Sequence, residues 1–295
     1  MTMNAPRPNL AALFFLAALG TQLGAHTAAQ DSGGATPSVT EVFARSLGAM
    51  KPIDDYRGEF VKRERIEDEL KTEKMSFKFA RPFKVYLKYI DPNPGQEVLY
   101  VRGTNKNRIK AHKGSFPDIT VNLSPYGRQA MKDSHQPIMT FGVERQIRIM
   151  ANIHRKAVES GVETYTVSDG GVLFGEPVWK IETRLPSSGR TVIAKDDENL
   201  WELATRVGQD MYVILHHNDD IDSPKDIDEG DPVFVPDHYA SRFEYLIGKK
   251  NYMPLKETSW DHKGRIYEQY EYPKLDLSPG LTDKDFDPDN DEYDF

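Results

Sequence analysis

Apolar residues recur along this chain with two periods, and the places where the period changes divide it into elements. Val39, Val42, Phe43, Leu47 and Met50 fall on one stripe of a 3.6-residue repeat, so Ser38 to Met50 reads as a helix. Ser38 or Thr40 can cap its start, and Pro52 follows its end. From Tyr56 to about Val121 the period drops to two. Met75 to Phe79 alternates apolar with polar, and Phe83 to Tyr89 does so again after Pro82. Glu97 to Val101 and Arg108 to His112 continue the series, broken at Gly95 and at Gly103-Thr104-Asn105. A run of this kind predicts antiparallel strands with one face on a core and the other in water.

Helical spacing then returns. Ser124 to Lys132 reads as a short helix, and Val143 to Val158 as a longer one bounded by Gly142 and Gly161. Strands are predicted at Val162–Val167 and Glu176–Leu185, with Gly170-Gly171 as a hairpin turn. Further strands follow at Phe243–Ile247, Leu255–Asp261 and Arg265–Tyr272, the last two joined by a turn at Asp261-His262-Lys263-Gly264. The acid-rich end, Asp283 to Phe295, is expected either to wrap the surface or to stay mobile. The fold class expected is α+β: a curved antiparallel sheet, a half-barrel with helices, spanning 30–190 and 237–295 and interrupted by a small βααβ module at 191–236.

Composition narrows the function. The 295 residues carry a net charge of −8, which argues against a nucleic-acid partner. There is no cysteine, so disulfides, thiol catalysis and a lipidated N-terminal cysteine are excluded. Leu10 to Leu23 is an apolar run preceded by Arg7 alone among charged residues and followed by small residues to Ala29. It has the length of a signal-peptide core and is too short to span a bilayer. Residues 1–29 are therefore expected to be a signal peptide that directs a periplasmic protein, with no membrane-spanning segment after cleavage.

The interruption has its own logic. Thr191 to Ala194 is strand-like. Asn199 begins a helix, with Glu202 three residues on completing a capping box, and Gly208 ends the stripe of Leu200, Leu203, Ala204 and Val207. Met211 to His217 is a second helix, and Pro232 to Pro236 a second strand. The pattern resembles the LysM domain, a binder of peptidoglycan glycan. The matching residues are Asn199-Leu200-Trp201, Leu203-Ala204, Gly208, Leu215, Asn218, Ile227, Gly230, Val233, Val235 and Pro236. Two places depart from that family: Asp197-Glu198-Asn199 replaces its usual Gly-Asp-Thr, and His217 and Asp219 flank Asn218 where Leu, and often Pro, are usual. The resemblance implies an N-acetylglucosamine groove formed by Asp197, Glu198, Asn199, Leu200, Asn218, Asp219, Ile221 and Ile227. Its ligand would be peptidoglycan or a chitin-like glycan.

The flanking segments resemble a bacterial envelope family, domain-of-unknown-function family 1571. Tyr56 to Arg65, Arg81 to Lys88, Gly264 to Glu268 and Leu281 to Pro288 carry that likeness. The order of elements also looks like the lipoprotein carriers LolA and LolB, whose concave sheet holds acyl chains. That resemblance implies a lipid or lipoprotein partner, with Phe77, Phe79, Val85, Leu87, Val98 and Tyr100 as the residues lining the site.

Other chemistry is weak in the sequence. His216-His217 with Asp219 and Asp220 lacks a His-x-x-x-His spacing, and the alternating aspartates from Asp283 to Asp291 lack the glycine and closing Glu of an EF-hand loop. Glu59, Glu64 and Glu67 with Arg63 and Arg65 read as cross-strand charge pairs. No catalytic residue, metal ligand or cofactor motif emerges. The expectation is a non-catalytic envelope protein that holds glycan through its module and an apolar ligand through its sheet. The alternatives are a cell-wall glycan enzyme targeted by the module, and a structural protein whose degenerate module makes protein contacts.

Overall fold

The computed structural model describes residues 35–66, 68–159, 161 and 165–295, so the expected signal peptide lies outside the described residues. Helix α1 (Val39–Met50) is capped by Ser38, whose hydroxyl accepts from the Glu41 amide at 3.2 Å. Six strands follow: β1 (Asp55–Ile66), β2 (Glu69–Ala80), β3 (Lys84–Asp91), β4 (Glu97–Val101), β5 (Ile109–His112) and β6 (Thr120–Leu123). Helices α2 (Arg128–Met131) and α3 (Val143–Glu159) precede β7 (Thr166–Leu173), β8 (Glu176–Arg184) and β9 (Gly189–Ile193). Then come α4 (Leu200–Val207), α5 (Met211–His217), β10 (Pro232–Pro236), β11 (Arg242–Gly248), β12 (Pro254–Trp260) and β13 (Ile266–Leu277).

Eleven strands form one curved antiparallel sheet in the order β6-β5-β4-β3-β2-β1-β13-β12-β11-β8-β7. The expected α+β class with a large curved antiparallel sheet and few helices is what the chain adopts. The sheet is a run of hairpins closed by β13, which returns to pair with β1 over almost its whole length. Gly58 makes this closure possible. A Cβ there would sit 2.0 Å from the Lys274 carbonyl oxygen, just before a register shift between Glu59 and Val61. No helix among the described residues is long and apolar enough to cross a membrane.

The inner face of the sheet closes on α1 and α3. Val42 and Phe43 of α1, and Val143, Ile147 and Met150 of α3, meet Tyr56, Phe77, Phe79, Val85 and Tyr245. Gly142 admits α3 to this core at φ 125°: a Cβ there would lie 2.8 Å from the Tyr56 hydroxyl, which instead accepts from the Val143 amide at 3.0 Å.

Three expectations change. The turn between β7 and β8 is Phe174-Gly175, both in the left-handed region, whereas Gly170-Gly171 lies inside β7 where its register with β8 shifts. Glycine marked a bulge here, because the ladder resumes at Val172 opposite Pro177. The helix expected from Ser124 shrinks to the four residues of α2, since Pro125 and Gly127 occupy its first turn. Finally, the outer face of β3 and β4 is not in water. The C-terminal segment covers it, with Phe286 buried and Tyr293 stacked on Tyr86 at 4.0 Å. Lys78 binds Asp285 at 2.8 Å and the Tyr293 hydroxyl at 3.0 Å, so the aspartates of the tail serve to dock it.

Strands β9 and β10 pair only with each other, and α4 and α5 pack on them in a second core of Leu200, Leu203, Ile214, Val233 and Val235. That core also takes in Ile66 and Tyr267 from the ends of β1 and β13. The module is thus seated on the main sheet, within a single compact unit spanning Thr36–Phe295.

Candidate functional site

The inner face of the sheet and the covering segment from Leu123 to Ile153 enclose a cavity of about 560 Å³. One end is apolar: Leu87, Val98 and Ala111 on the strands face Ile138, Ile149 and Ile153 on the cover. The other end is polar, and strand alternation places it there. Phe60, Lys62 and Glu64 share a parity on β1, Leu255 and Glu257 on β12, and Glu268, Tyr270 and Tyr272 on β13. Register then sets Lys62 opposite Glu73 and Tyr270, and Glu64 opposite Glu268.

These buried charges are paired. Lys62 Nζ lies 2.7 Å from Glu73 and 3.3 Å from Glu64, and it donates to the Asp133 carbonyl at 3.1 Å. Burial alone would depress the Lys62 pKa, but the two carboxylates outweigh it and raise it. Glu64 also accepts from the Tyr270 hydroxyl at 2.6 Å and from the His135 amide at 2.9 Å. Burial pushes its carboxyl up, but Lys62 and His135 hold it below its ordinary value.

His135 joins this network to the module. Its Nδ1 lies 2.9 Å from Glu268 and its Nε2 2.9 Å from the Arg65 carbonyl, and its ring stacks on Tyr267 at 4.5 Å. A carbonyl can only accept, so Nε2 carries a proton. Burial opposes the charged ring, yet the Glu268 hydrogen bond and charge win and lift its pKa to about 9. Both nitrogens therefore donate at neutral pH. Glu64, His135 and Glu268 lie close enough to hold a metal, with ligand atoms within 4.8 Å of one another. A metal would have to displace the proton on Nδ1 and break its bond to Glu268, and as it stands the triad is a hydrogen-bonded ion cluster.

Glu257 differs from these, because no cation among the described residues pairs with it. It accepts from Gln146 Nε2 at 2.6 Å, and burial pushes its carboxyl up to about 7. The Oε1 of that glutamine has no partner.

Of the residues expected to line an apolar site, Leu87 and Val98 face the cavity. Phe77, Phe79, Val85 and Tyr100 are packed in the core around it: Phe79 stacks on Tyr56 at 4.7 Å, and Tyr100 meets Phe83 edge-on. Glu64, read as part of a cross-strand charge pair, is a buried member of the network, and Glu67 lies outside the described residues. His135, Glu257 and Glu268 were missed. The available signal was parity: Glu257 alternates with Leu255 on β12, and Glu268 with Tyr270 and Tyr272 on β13.

In the module, the expected glycan residues are largely spent on structure. Leu200, Ile221 and Ile227 are buried in its core. The Asn218 side chain donates to the Ile214 and Phe234 carbonyls at 2.7 and 2.9 Å and accepts from the Phe234 amide at 2.8 Å. Asn199 caps α4, Glu198 pairs with Arg206 at 2.6 Å, and Asp219 is bound by Lys263. Asp197 is exposed at φ 55°. Trp201 is 44% exposed and lies edge-on to Tyr212. His217 donates to the Val213 carbonyl at 2.8 Å and stacks on His262, while His216 is buried against Tyr267.

Several solved structures are similar to this chain. A chain of the MucA/MucB complex of Pseudomonas aeruginosa matches at 12% identity and a TM-score of 0.38, over 84% of this chain and 60% of that one. A LolA superfamily protein from Nitrosomonas europaea matches at 10% identity and a TM-score of 0.30, over 86% and 98%. The Mycobacterium tuberculosis lipoprotein LppX matches at 13% identity and a TM-score of 0.37, over 83% and 99%. This chain therefore spans about three-fifths of the length of the MucA/MucB chain it matches. No curated protein matches it. The family model described as protein of unknown function, DUF1571, matches residues 53–207 and 231–295. That match takes in β9, α4 and β10 and leaves out 208–230, the stretch holding α5 and the loop after it. The greater part of the chain, including both ends of the cavity wall, is thus family sequence, and the chain belongs to the DUF1571 family.

Proposed function

We propose that this protein is a non-catalytic, exported envelope protein that carries an amphiphile, with hydrocarbon held in the cavity between the sheet and α3. The observation that carries the reading is the cavity itself. Its volume of about 560 Å³ lies within the range of ligand sites, and one end is lined by aliphatic side chains with no polar work to do. The polar end supports a binding role over a catalytic one, since Glu64 and Glu268 are locked by Lys62, His135 and tyrosine hydroxyls. Native mass spectrometry of the mature protein with dodecanol tests the reading. It expects one saturable adduct per chain. A failure to bind, or adducts that grow without saturation, would remove it.

A second reading concerns the module, which takes the β-α-α-β order of LysM and sets the exposed ring of Trp201 at the start of α4. An exposed aromatic face suits stacking on a sugar ring. On this reading the module keeps the protein at peptidoglycan while the cavity carries its cargo. Co-sedimentation with purified sacculi tests it, with Trp201→Ala expected to lose the pelleted fraction. Equal pelleting of both proteins, or none by either, would exclude Trp201 as the contact.

A further inference from the structure

We infer that the amphiphile held in this cavity bears a primary ammonium headgroup, seated between Glu257 and Gln146, with its chain running toward Leu87, Val98 and Ala111. The inference rests on the cavity being a ligand site and names the class of ligand.

Hydrogen-bonding capacity is the first ground. Gln146 is nine-tenths buried, lines the cavity, and turns its amide nitrogen to Glu257, which leaves its carbonyl oxygen without a donor. The Tyr245 hydroxyl and Ser259 Oγ are likewise buried without partners. Tyr245 stands directly opposite Glu257 in the β11–β12 pairing, and Ser259 is two residues along on the same face. A buried polar atom with no partner is costly, and such atoms are few in native proteins. An ammonium group has three N–H donors and no acceptor. The Glu257 carboxylate and the Gln146 carbonyl, both lining the cavity, supply two acceptors for it.

Charge is the second. Glu64, Glu73, Glu257 and Glu268 line the polar end against Lys62, with the His135 ring behind Glu64 and Glu268. Lys62 is already directed at Glu64, Glu73 and the Asp133 carbonyl, so it has nothing left for an anion. Carboxylate and phosphate headgroups would thus meet the acids at this end; Lys132, the other lysine lining the cavity, is solvent-exposed. A neutral alcohol would fit the apolar end but leave Glu257 without a counter-charge.

Titration calorimetry with four probes of equal chain length tests this: dodecylamine, dodecanol, dodecanoate and dodecyl phosphate, each below its micellar concentration. Wild type is expected to bind dodecylamine at least tenfold more tightly than either anion and more tightly than dodecanol. Glu257→Gln, which keeps the side-chain shape, should bring the amine down to the level of dodecanol and leave dodecanol unchanged. Gln146→Leu should weaken the amine in the same direction. The Glu257→Gln comparison separates the site from general attraction of a cation to an acidic protein. Dodecanol binding with no preference for the amine, or an amine preference that survives Glu257→Gln, would overturn the headgroup assignment and leave the cavity reading standing. If none of the four probes binds, both fall.

Discussion

Glu257 and His135 show how one buried network can push two groups in opposite directions. Burial raises the Glu257 carboxyl from its ordinary 4.5 to about 7. A raised acid costs nothing below pH 4.5; the cost grows as pH rises to about 7 and is complete above it, of the order of 3 kcal/mol. Glu257→Gln should therefore raise the urea midpoint at pH 8 and leave it unchanged near pH 4.5; a midpoint lowered at pH 8 would show that the carboxylate is compensated. His135 gains protonation on folding, with its pKa lifted from 6.5 to about 9. Its contribution is fully present below pH 6.5 and is lost as pH rises through about 9. His135→Phe should cost about 3 kcal/mol at pH 6, because Glu268 is left buried without its partner, and much less at pH 10. Equal losses at both values would contradict a charged ring.

Elements differ in how plainly the sequence declared them. Helix α1 and the strands β2 and β3 follow directly from stripe and alternation, since each buries one regular set of side chains against the same core. Where a second partner intervenes, the pattern misleads. Tyr86 and Leu99 point outward yet are buried, because Phe286 and Tyr293 arrive from residues too distant for any local window to register. Gly170-Gly171 carried a turn signal that the strand absorbed as a bulge, while Phe174, an aromatic residue with no turn preference, took the left-handed position. Asn218 was expected in the glycan groove; its side chain instead ties α5 to β10. Asn218→Ala should destabilise the protein by about 2–3 kcal/mol, since it strips partners from buried backbone groups of Ile214 and Phe234. A calorimetric change below about 0.5 kcal/mol would mean that water or a neighbour replaces it.

At the scale of the molecule, the broad plan of a curved antiparallel sheet with an interrupting βααβ segment was legible, because period changes survive even when individual turns are misread. The site was legible only in part. Of the six residues the resemblance implied, Leu87 and Val98 border the cavity, while Phe77, Phe79, Val85 and Tyr100 fill the core. Which residues of one face line a void depends on the placement of α3 and of the segment before it, and no strand pattern encodes that. The polar end was invisible for a related reason: Lys62 and Glu73 meet in the β1–β2 hairpin, but Glu268 lies about two hundred residues further on and joins them only when β13 closes on β1.

The central claim is that the space beneath α3 holds a hydrocarbon chain. Ala111 faces that space from β5, so Ala111→Trp fills it without touching the polar network. Dodecanol binding to wild type and Ala111→Trp, measured alongside their melting temperatures, gives the most direct test. A loss of at least tenfold in affinity with the melting temperature held is the predicted result; undiminished binding by a well-folded Ala111→Trp protein would contradict it.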